Sequence, residues 1–219
     1  LKNAGLTVTL VSEVTQHPEI FDGRVKSLHP AIHGPLLARL HQEADATELG
    51  RLGYAPIRVV ACNLYPFGDA AATTPPLDDD DLLEMIDIGG PTMVRASAKN
   101  HRHVLIATNP ERYQGVVEAL RAADDPADVA LEFRQSLALE AFEHTAAYDV
   151  AIAQELHRRV VGDPALGSTM EEQRDRLPQS VLEASHQVDA LRYGENGHQA
   201  AALYVDHDAP EGHTTLVTA

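Results

Sequence analysis

The sequence is poor in several residue types, and each shortage excludes a class of protein. Its 219 residues include one cysteine, Cys62, and no tryptophan. A single cysteine excludes an internal disulfide and is typical of a reducing compartment, so we expect a cytoplasmic protein. No apolar run approaches the roughly 18 residues of a membrane-spanning helix, so we expect no membrane partner. The chain also begins without a basic segment followed by an apolar core, and we expect no secretion signal.

Basic residues are scarce as well. The sequence holds 17 lysines and arginines against 33 acidic residues, which gives a net charge of −16. This balance argues against a nucleic-acid partner, because binding a phosphate backbone requires a basic face. Only three bases are lysines: Lys2, Lys26 and Lys99. Lysine acts as a point charge and changes protonation more readily than arginine, so Lys26 and Lys99, which lie inside loop motifs, indicate a role that arginine does not fill.

Strand patterns alternate with helix patterns, which predicts an α/β fold with a parallel sheet flanked by helices. Runs of β-branched or apolar residues predict strands at 6–11, 59–64 and 104–108. Caps, periodicity, glycines and prolines predict helices at 42–52, 77–86, 92–100 and 109–122, and one long helix or a helical pair at 128–161. The polar segment 162–185 is predicted to be a linker, and residues 191–205 are predicted to be structured again.

Residues 21–34 combine glycine, arginine, lysine, serine and two histidines after the first predicted strand. Loops at the carboxyl ends of parallel strands bind ligands, and the basic groups around Lys26 suit a phosphate or a developing oxyanion. A surface turn with a solvated basic pair is an equally good interpretation of these residues alone. His29 and His33 have the i,i+4 spacing of metal ligands, but Pro30 interrupts and no second ligand pair is near, so we expect no metal site.

Two further motifs follow the second predicted strand. Tyr65, in Asn63-Leu64-Tyr65-Pro66-Phe67, precedes a proline and is therefore held extended; a core aromatic pair that ends a strand is the alternative. Asp87 precedes Gly89 and Gly90, which open a helix whose N–H groups suit an anion. An ordinary glycine turn before a helix with a solvated basic face is the alternative. Asp87 and Lys99 would meet only if this turn folds back.

Five strings occur together in this chain: DGRVKSLHPAIHG at 22–34, NLYPF at 63–67, IDIGGPTMVRASAKNH at 86–101, AFEHTAAYD at 141–149 and LRYGENGHQ at 191–199. In this order and spacing they resemble the bifunctional purine-biosynthesis family that is both aminoimidazole-carboxamide ribonucleotide transformylase and inosine monophosphate cyclohydrolase. The resemblance implies a methylglyoxal-synthase-like cyclohydrolase domain at 1–185 and the beginning of a transformylase domain at 186–219. It also implies that two strand–loop–helix units with phosphate-binding loops, and most of the transformylase domain, are missing.

The resemblance also implies site residues. Lys26 and Lys99 would stabilise or protonate developing oxygen charge, Asp87 would take a proton or orient Lys99, and Tyr65 would hydrogen-bond near the reacting groups. The implied nucleotide-binding residues are Arg24, Ser27, Asn63, Ile88 and Gly89, and the transformylase motif contributes Arg192, Tyr193 and His198.

The resemblance implies a purine nucleotide substrate, a homodimer, no cofactor for ring closure, and 10-formyltetrahydrofolate as co-substrate of the transformylase half. A non-catalytic module of the same fold that binds a nucleotide or phosphate is the alternative function. Activity on the formamido nucleotide would favour the enzyme, and binding without turnover would favour the module.

Overall fold

The structure is a computed structural model that describes residues 4–161, 184–191 and 201–206. Strands β1 (Val59–Ala61) and β2 (Leu105–Ala107) form a parallel pair in which Val60 lies opposite Ile106. Strands β3 (Ser185–Leu191) and β4 (Ala201–Asp206) form a separate antiparallel pair. The helices are α1 (Val11–Thr15), α2 (Pro30–Leu37), α3 (Glu43–Leu52), α4 (Phe67–Ala71), α5 (Asp79–Glu84), α6 (Gly89–Lys99), α7 (Tyr113–Ala122) and α8 (Leu131–Val161).

The predicted α/β class, with a small parallel sheet and helices, is confirmed. The methylglyoxal-synthase-like refinement stays a prediction. No helix in the described part of the chain has the length and apolar character needed to cross a membrane.

The strand predictions are confirmed unevenly. Residues 105–107 form β2 and are buried throughout, as their apolar run predicts. β1 is shorter than predicted and is not buried on both faces, since Val59 is 40% exposed. The predicted strand at 6–11 is wrong: residues 6–10 are unpaired within the described residues, and Val11 begins α1. A strand requires a neighbour to complete its hydrogen bonds, so alternation alone does not establish one.

Local end signals explain why most helices lie where they were predicted. α3 ends at Gly53, whose φ of 71° is the left-handed conformation that glycine adopts at low cost. The Asp78 carboxylate accepts a hydrogen bond from the Asp81 N–H and caps α5. Asn109 caps the 3₁₀ turn Pro110–Arg112 that leads into α7. The segment predicted as one helix or a pair is the single 31-residue helix α8.

Two differences matter for the site. α6 begins at Gly89, three residues before the predicted start, because Pro91 lies in the first turn, where its missing N–H costs nothing. α2 was not predicted, since Pro30 was taken as an interruption. Pro30 is instead the first helical residue, and His29 caps the helix by accepting a hydrogen bond from the Ala31 N–H at 3.1 Å.

Contacts divide the chain into two compact units, 1–65 with 87–145 and 66–86 with 146–219. In the first unit, α6 has apolar side chains in two core clusters. Val94 packs with Leu105 and Ile106 of β2, and Ala96 packs with Leu36 of α2. Burying a side chain such as Ile106 contributes about 1.5–3 kcal/mol to stability, so α6 is held firmly between the sheet and α2. The predicted domain boundary at 185/186 stays a prediction.

Within the second unit, polar contacts hold the second half of α8 against the segment that contains α5. The Tyr148 hydroxyl donates a hydrogen bond to the Met85 carbonyl at 3.1 Å. Arg159 forms an ion pair with Asp79 of α5 and also donates to Glu155, one turn earlier in α8. Hydrogen bonds from Arg158, and then from Arg159, lower the pKa of Glu155. These contacts fasten the second half of α8 to α5.

Candidate active site

Three segments that carry predicted site residues meet at the edge of the sheet where β1 and β2 end, which we call the carboxyl edge. A Cβ atom on Gly89 would lie 2.7 Å from Ser27 Oγ, and a Cβ on Gly90 would lie 3.0 Å from Leu64 Cδ2. The first contact would require the Ser27 hydroxyl to shift, the second is tighter than most Cβ contacts, and a Cβ on Gly90 would also overlap the Asp87 carboxylate. The two glycines therefore let the loop before α2 and the segment after β1 approach the amino end of α6.

Asp87 holds the amino end of α6. Its Oδ1 accepts a hydrogen bond from the Gly90 N–H at 2.8 Å, and the residue is half-buried. A carboxylate here interacts favourably with the positive end of the helix dipole. Burial, together with the negative charge of Asp87, raises the pKa of the Cys62 thiol. Because Gly89 and Gly90 belong to the helix, the glycine pair does not fold Asp87 back toward Lys99.

The loop before α2 presents Lys26 through a tight turn. Ile20 and Val25 pair as an isolated antiparallel bridge, and Gly23 between them has a φ of 91°. The Lys26 ammonium forms an ion pair with Glu19, with 2.6 Å between Nζ and Oε1, and both side chains are about half exposed. Sequence reasoning missed Glu19, because an exposed acid seven residues before a lysine carries no local signal.

The segment after β1 presents two predicted residues to solvent. Asn63 and Tyr65 are exposed, whereas Cys62 and Leu64 are half-buried, so the side chains alternate. Tyr65 is 54% exposed, which contradicts its interpretation as a core aromatic. The Tyr113 hydroxyl donates a hydrogen bond to Asn63 Oδ1 at 3.3 Å. This contact fixes which end of the Asn63 amide is the oxygen, so its NH2 group points away from Tyr113. Sequence reasoning also missed Tyr113, which is the first residue of α7.

Lys99 lies apart from these groups. It follows Gly89 by ten residues on one helix, a separation of about 15 Å along the axis at 1.5 Å per residue. The next residue, Asn100, donates hydrogen bonds to the carbonyls of Leu36 and Ala38, where α2 ends. The structure therefore brings Ser27, Asp87 and Gly89 together but leaves Lys99 at the other end of α6.

The remaining predicted residues divide into two groups. Ile88, which is 57% exposed, flanks Asp87 at the start of α6, and Arg24 is exposed in the turn before Lys26. Arg192, Tyr193 and His198 lie outside the described residues.

The two histidines of the first motif take structural places. His29 caps α2, and His33 lies within it. Burial lowers the pKa of His33, and its Nε2 has no hydrogen-bond partner among the described residues. In the described ranges, no three His, Cys, Asp or Glu side chains are grouped to hold a metal ion.

Comparison with known proteins identifies the family. A sequence model described as the AICARFT/IMPCHase bienzyme matches residues 97–218, which is more than half of the chain. The chain belongs to this family. The resemblance predicted from the five motifs is therefore confirmed.

Relatives of the chain align over nearly all of it. It is 48% identical over 204 residues to the bifunctional purine biosynthesis protein PurH of Synechococcus elongatus, and 44% identical over 211 residues to PurH of Myxococcus xanthus. These alignments cover 93% and 96% of the chain but 36% and 38% of the relatives. The chain thus spans little more than a third of their length. The crystal structure of ForH is also similar, with a TM-score of 0.60 and 33% identity over 71% of this chain and 79% of that one.

Proposed function

We propose that this protein acts in the last two steps of de novo purine synthesis, and that the carboxyl edge performs the second step, the cyclohydrolase ring closure to inosine monophosphate. Family membership and the names of its relatives support the pathway. One observation carries the assignment to this edge: Ser27 of the first motif lies beside Asp87 and Gly89 of the third, although the two motifs are about 60 residues apart in sequence. The non-catalytic alternative is not favoured, because the relatives are named as bifunctional biosynthetic proteins.

The nucleotide would bind at the amino end of α6. In the first turn of α6 the Gly90 N–H donates to Asp87 and Pro91 has no N–H, so the Gly89 N–H and the positive helix dipole are what this end offers to the polar edge of a base. Ser27 adds a hydroxyl beside Gly89, and Asn63 adds an amide whose orientation is set by Tyr113. We assign Arg24 and Ile88 to the same nucleotide site. Holding the two reacting groups of one nucleotide in attack geometry supplies a large part of such a rate enhancement.

Ring closure joins the carboxamide nitrogen to the formyl carbon and releases the formyl oxygen as water. The carboxamide nitrogen loses one proton, the formamide nitrogen loses the other as it forms a double bond to the former formyl carbon, and the oxygen leaves with both as water. Asp87, fixed by the Gly90 N–H, is assigned to take the proton of the carboxamide nitrogen, and the Lys26 ammonium to stabilise and protonate the oxygen. Tyr65 is assigned a hydrogen bond to the reacting groups, and its exposure leaves it accessible to them. The role of Lys99 rests on its motif alone.

The same proposal covers the finer expectations. The domain is methylglyoxal-synthase-like, the protein is a cytoplasmic homodimer, and ring closure proceeds without a cofactor. The transformylase step uses 10-formyltetrahydrofolate as co-substrate, with Arg192, Tyr193 and His198 in its opening motif.

The test is the absorbance change on ring closure of the formamido nucleotide, measured with the full-length protein. Lys26→Gln and Asp87→Asn are each expected to lower kcat about 100-fold or more, the scale of a lost proton-transfer group. Arg121→Gln is the matched control, because Arg121 is exposed on α7, away from the three segments. Wild-type kcat in both site variants would refute the assignment of this edge.

A further inference from the structure

A second group of polar side chains lies where β1 and β2 begin, which we call the amino edge. His41 lies between α2 and α3, and His103 lies just before β2. Their rings stack with centroids 5.1 Å apart and planes inclined by 20°. His41 Nδ1 is 2.9 Å from His103 Nε2, so one imidazole donates a hydrogen bond to the other. The two residues are 62 apart in sequence and join the loops that follow α2 and α6.

Three arginines lie near His103, close enough for their charges to affect it. Arg58 precedes β1. Its carbonyl accepts a hydrogen bond from the N–H of Leu105, which follows His103 by two residues, so the Arg58 backbone lies beside the start of β2. Arg102 adjoins His103 in the chain. Arg134, in the first turns of α8, donates to the carbonyls of Arg102 and Ala127. Burial and then the positive charges of His41 and the three arginines lower the pKa of His103. We call these five residues the basic cluster.

The cluster holds more positive charge than its surroundings offset. Within residues 4–161, 184–191 and 201–206, none of its arginines forms an ion pair with a carboxylate. Arg134 is only 8% exposed, and its Nε has no partner among those residues. The carboxyl ends of α2 and α6 contribute about half a negative charge each, against three permanent positive charges.

A nearby acid does not change this balance. Asp45 is close enough to His41 to be affected by its charge, but Arg39 donates two side-chain hydrogen bonds to the Asp45 carboxylate, both at 2.9 Å. That carboxylate is therefore already paired. A divalent cation fits the cluster poorly, since the arginines repel it and, in the described part of the chain, no three His, Cys, Asp or Glu side chains are grouped to hold one.

We propose that the basic cluster binds a phosphate group, free or carried by a nucleotide, at the edge of the sheet opposite the candidate active site. Arg58, Arg102 and the two imidazoles would contact the phosphate oxygens, and Arg134 would hold the Arg102 loop in place. Guanidinium groups match phosphate oxygens in pairs and bind them more strongly than neutral donors do. The site is separate from the proposed ring closure, because none of its residues is assigned to that reaction.

The test measures acylation of individual histidines by diethylpyrocarbonate in the full-length protein, with peptide mass spectrometry as the readout. Inorganic phosphate is expected to slow acylation of His41 and His103 at least three-fold, with saturation. His157, which is exposed on α8, serves as the internal reference and should react at an unchanged rate. Sodium chloride at matched ionic strength controls for screening. A parallel titration with adenosine monophosphate distinguishes the two sources, since protection at a lower concentration than with phosphate identifies a nucleotide.

Variants separate this site from the candidate active site. Protection of His41 and His103 is expected to disappear in the double variant Arg58→Gln, Arg102→Gln and to persist in Arg121→Gln and in Lys26→Gln. Because Lys26 is assigned only to ring closure, protection that persists in Lys26→Gln supports the phosphate site whether or not the proposed function is correct. The proposal is overturned if phosphate protects neither histidine, if His157 is protected equally, or if the double variant is protected like the wild type.

Discussion

The two edges of the β1–β2 sheet hold their polar groups in different ways. At the carboxyl edge the positions depend on backbone groups: Asp87 is fixed by the Gly90 N–H, and the Ser27 hydroxyl lies close against the Gly89 backbone. At the amino edge, side chains on loops contact one another, as in the stacked pair of His41 and His103. The first arrangement fixes geometry before a ligand arrives, as catalysis requires. The second arrangement leaves positive charge that an anionic ligand would neutralise.

Gly90→Ala tests the carboxyl edge most severely. The added Cβ would overlap the Asp87 carboxylate and press on Leu64, so the cap of α6 is displaced. We expect a loss of about 2–3 kcal/mol in the free energy of unfolding, from the cap and the overlap together. Ring closure should fall about 100-fold, the cost of misplacing groups by an ångström. Urea unfolding and the absorbance assay measure the two effects.

Gly50→Ala is the matched control for this change. Gly50 lies in α3 with open space around its Cβ position, so alanine should leave stability unchanged or raise it by up to about 1 kcal/mol. Equal losses at positions 50 and 90 would mean that the close approach at Gly90 has no particular importance.

Lys26→Arg and Lys99→Arg compare the two ends of α6 directly. We expect both to slow ring closure, with a fall of tens of fold for Lys26→Arg and a smaller one for Lys99→Arg. Arginine keeps the charge but does not reproduce the compact ammonium, and only Lys26 lies beside the segment that contacts Gly89. The measurement is kcat in the full-length protein, with circular dichroism to check folding. A larger loss for Lys99→Arg would place the chemistry at the other end of the helix.

Tyr113→Phe tests the orientation of Asn63. Removing the hydroxyl takes away a hydrogen bond worth about 0.5–1.5 kcal/mol, so KM for the nucleotide should rise by roughly two- to ten-fold while kcat stays near the wild-type value. Tyr54→Phe, whose ring lies near Gly34 of α2, is the control and should leave both constants unchanged. A fall in kcat without a rise in KM would show that Tyr113 acts on the reaction and not on binding.

The smallest expected effect concerns the amino edge and pH. Because burial and the neighbouring charges lower the pKa of His103, the unfolded chain binds more protons than the folded one below pH 6.5. The free energy of unfolding should therefore decrease as the pH falls through 6.5 toward the lowered pKa of the folded state, and His33, whose pKa burial also lowers, adds to the trend. His103→Gln should flatten the dependence in urea titrations, whereas His157→Gln should not. If the free energy of unfolding of His103→Gln depends on pH as steeply as that of the wild type, His103 is not the source of the dependence.

Local signals predicted what local chemistry determines. Gly53, Asp78 and Asn109 fix the ends of α3, α5 and α7 through a left-handed residue or a side-chain cap, and each is readable from its neighbours in sequence. The family motifs identified residues that converge at the carboxyl edge. Pro30 shows the limit of a local signal, since the same residue interrupts a helix interior but starts a helix well.

Contacts between distant parts of the chain were not predictable from these patterns. Tyr113 meets Asn63 across 50 residues, and His41 meets His103 across 62. Neither pair shows periodicity or spacing, because the contacts arise only after the two strands align. The predicted strand at 6–11 failed for a related reason, since a strand depends on a partner elsewhere in the chain.

Asn100 joins the carboxyl ends of α2 and α6 through hydrogen bonds that deamidation of its side chain would remove. Its buried side-chain amide donates to the Leu36 and Ala38 carbonyls at 2.8 and 2.9 Å. Hydrolysis of that amide to a carboxylate would preserve the shape of the side chain but turn its two donors into acceptors. Oxygen would then face oxygen at the junction of two helices whose amino ends support the candidate active site. Replacing this one nitrogen by an oxygen would thus loosen the contact between these helices in the folded protein.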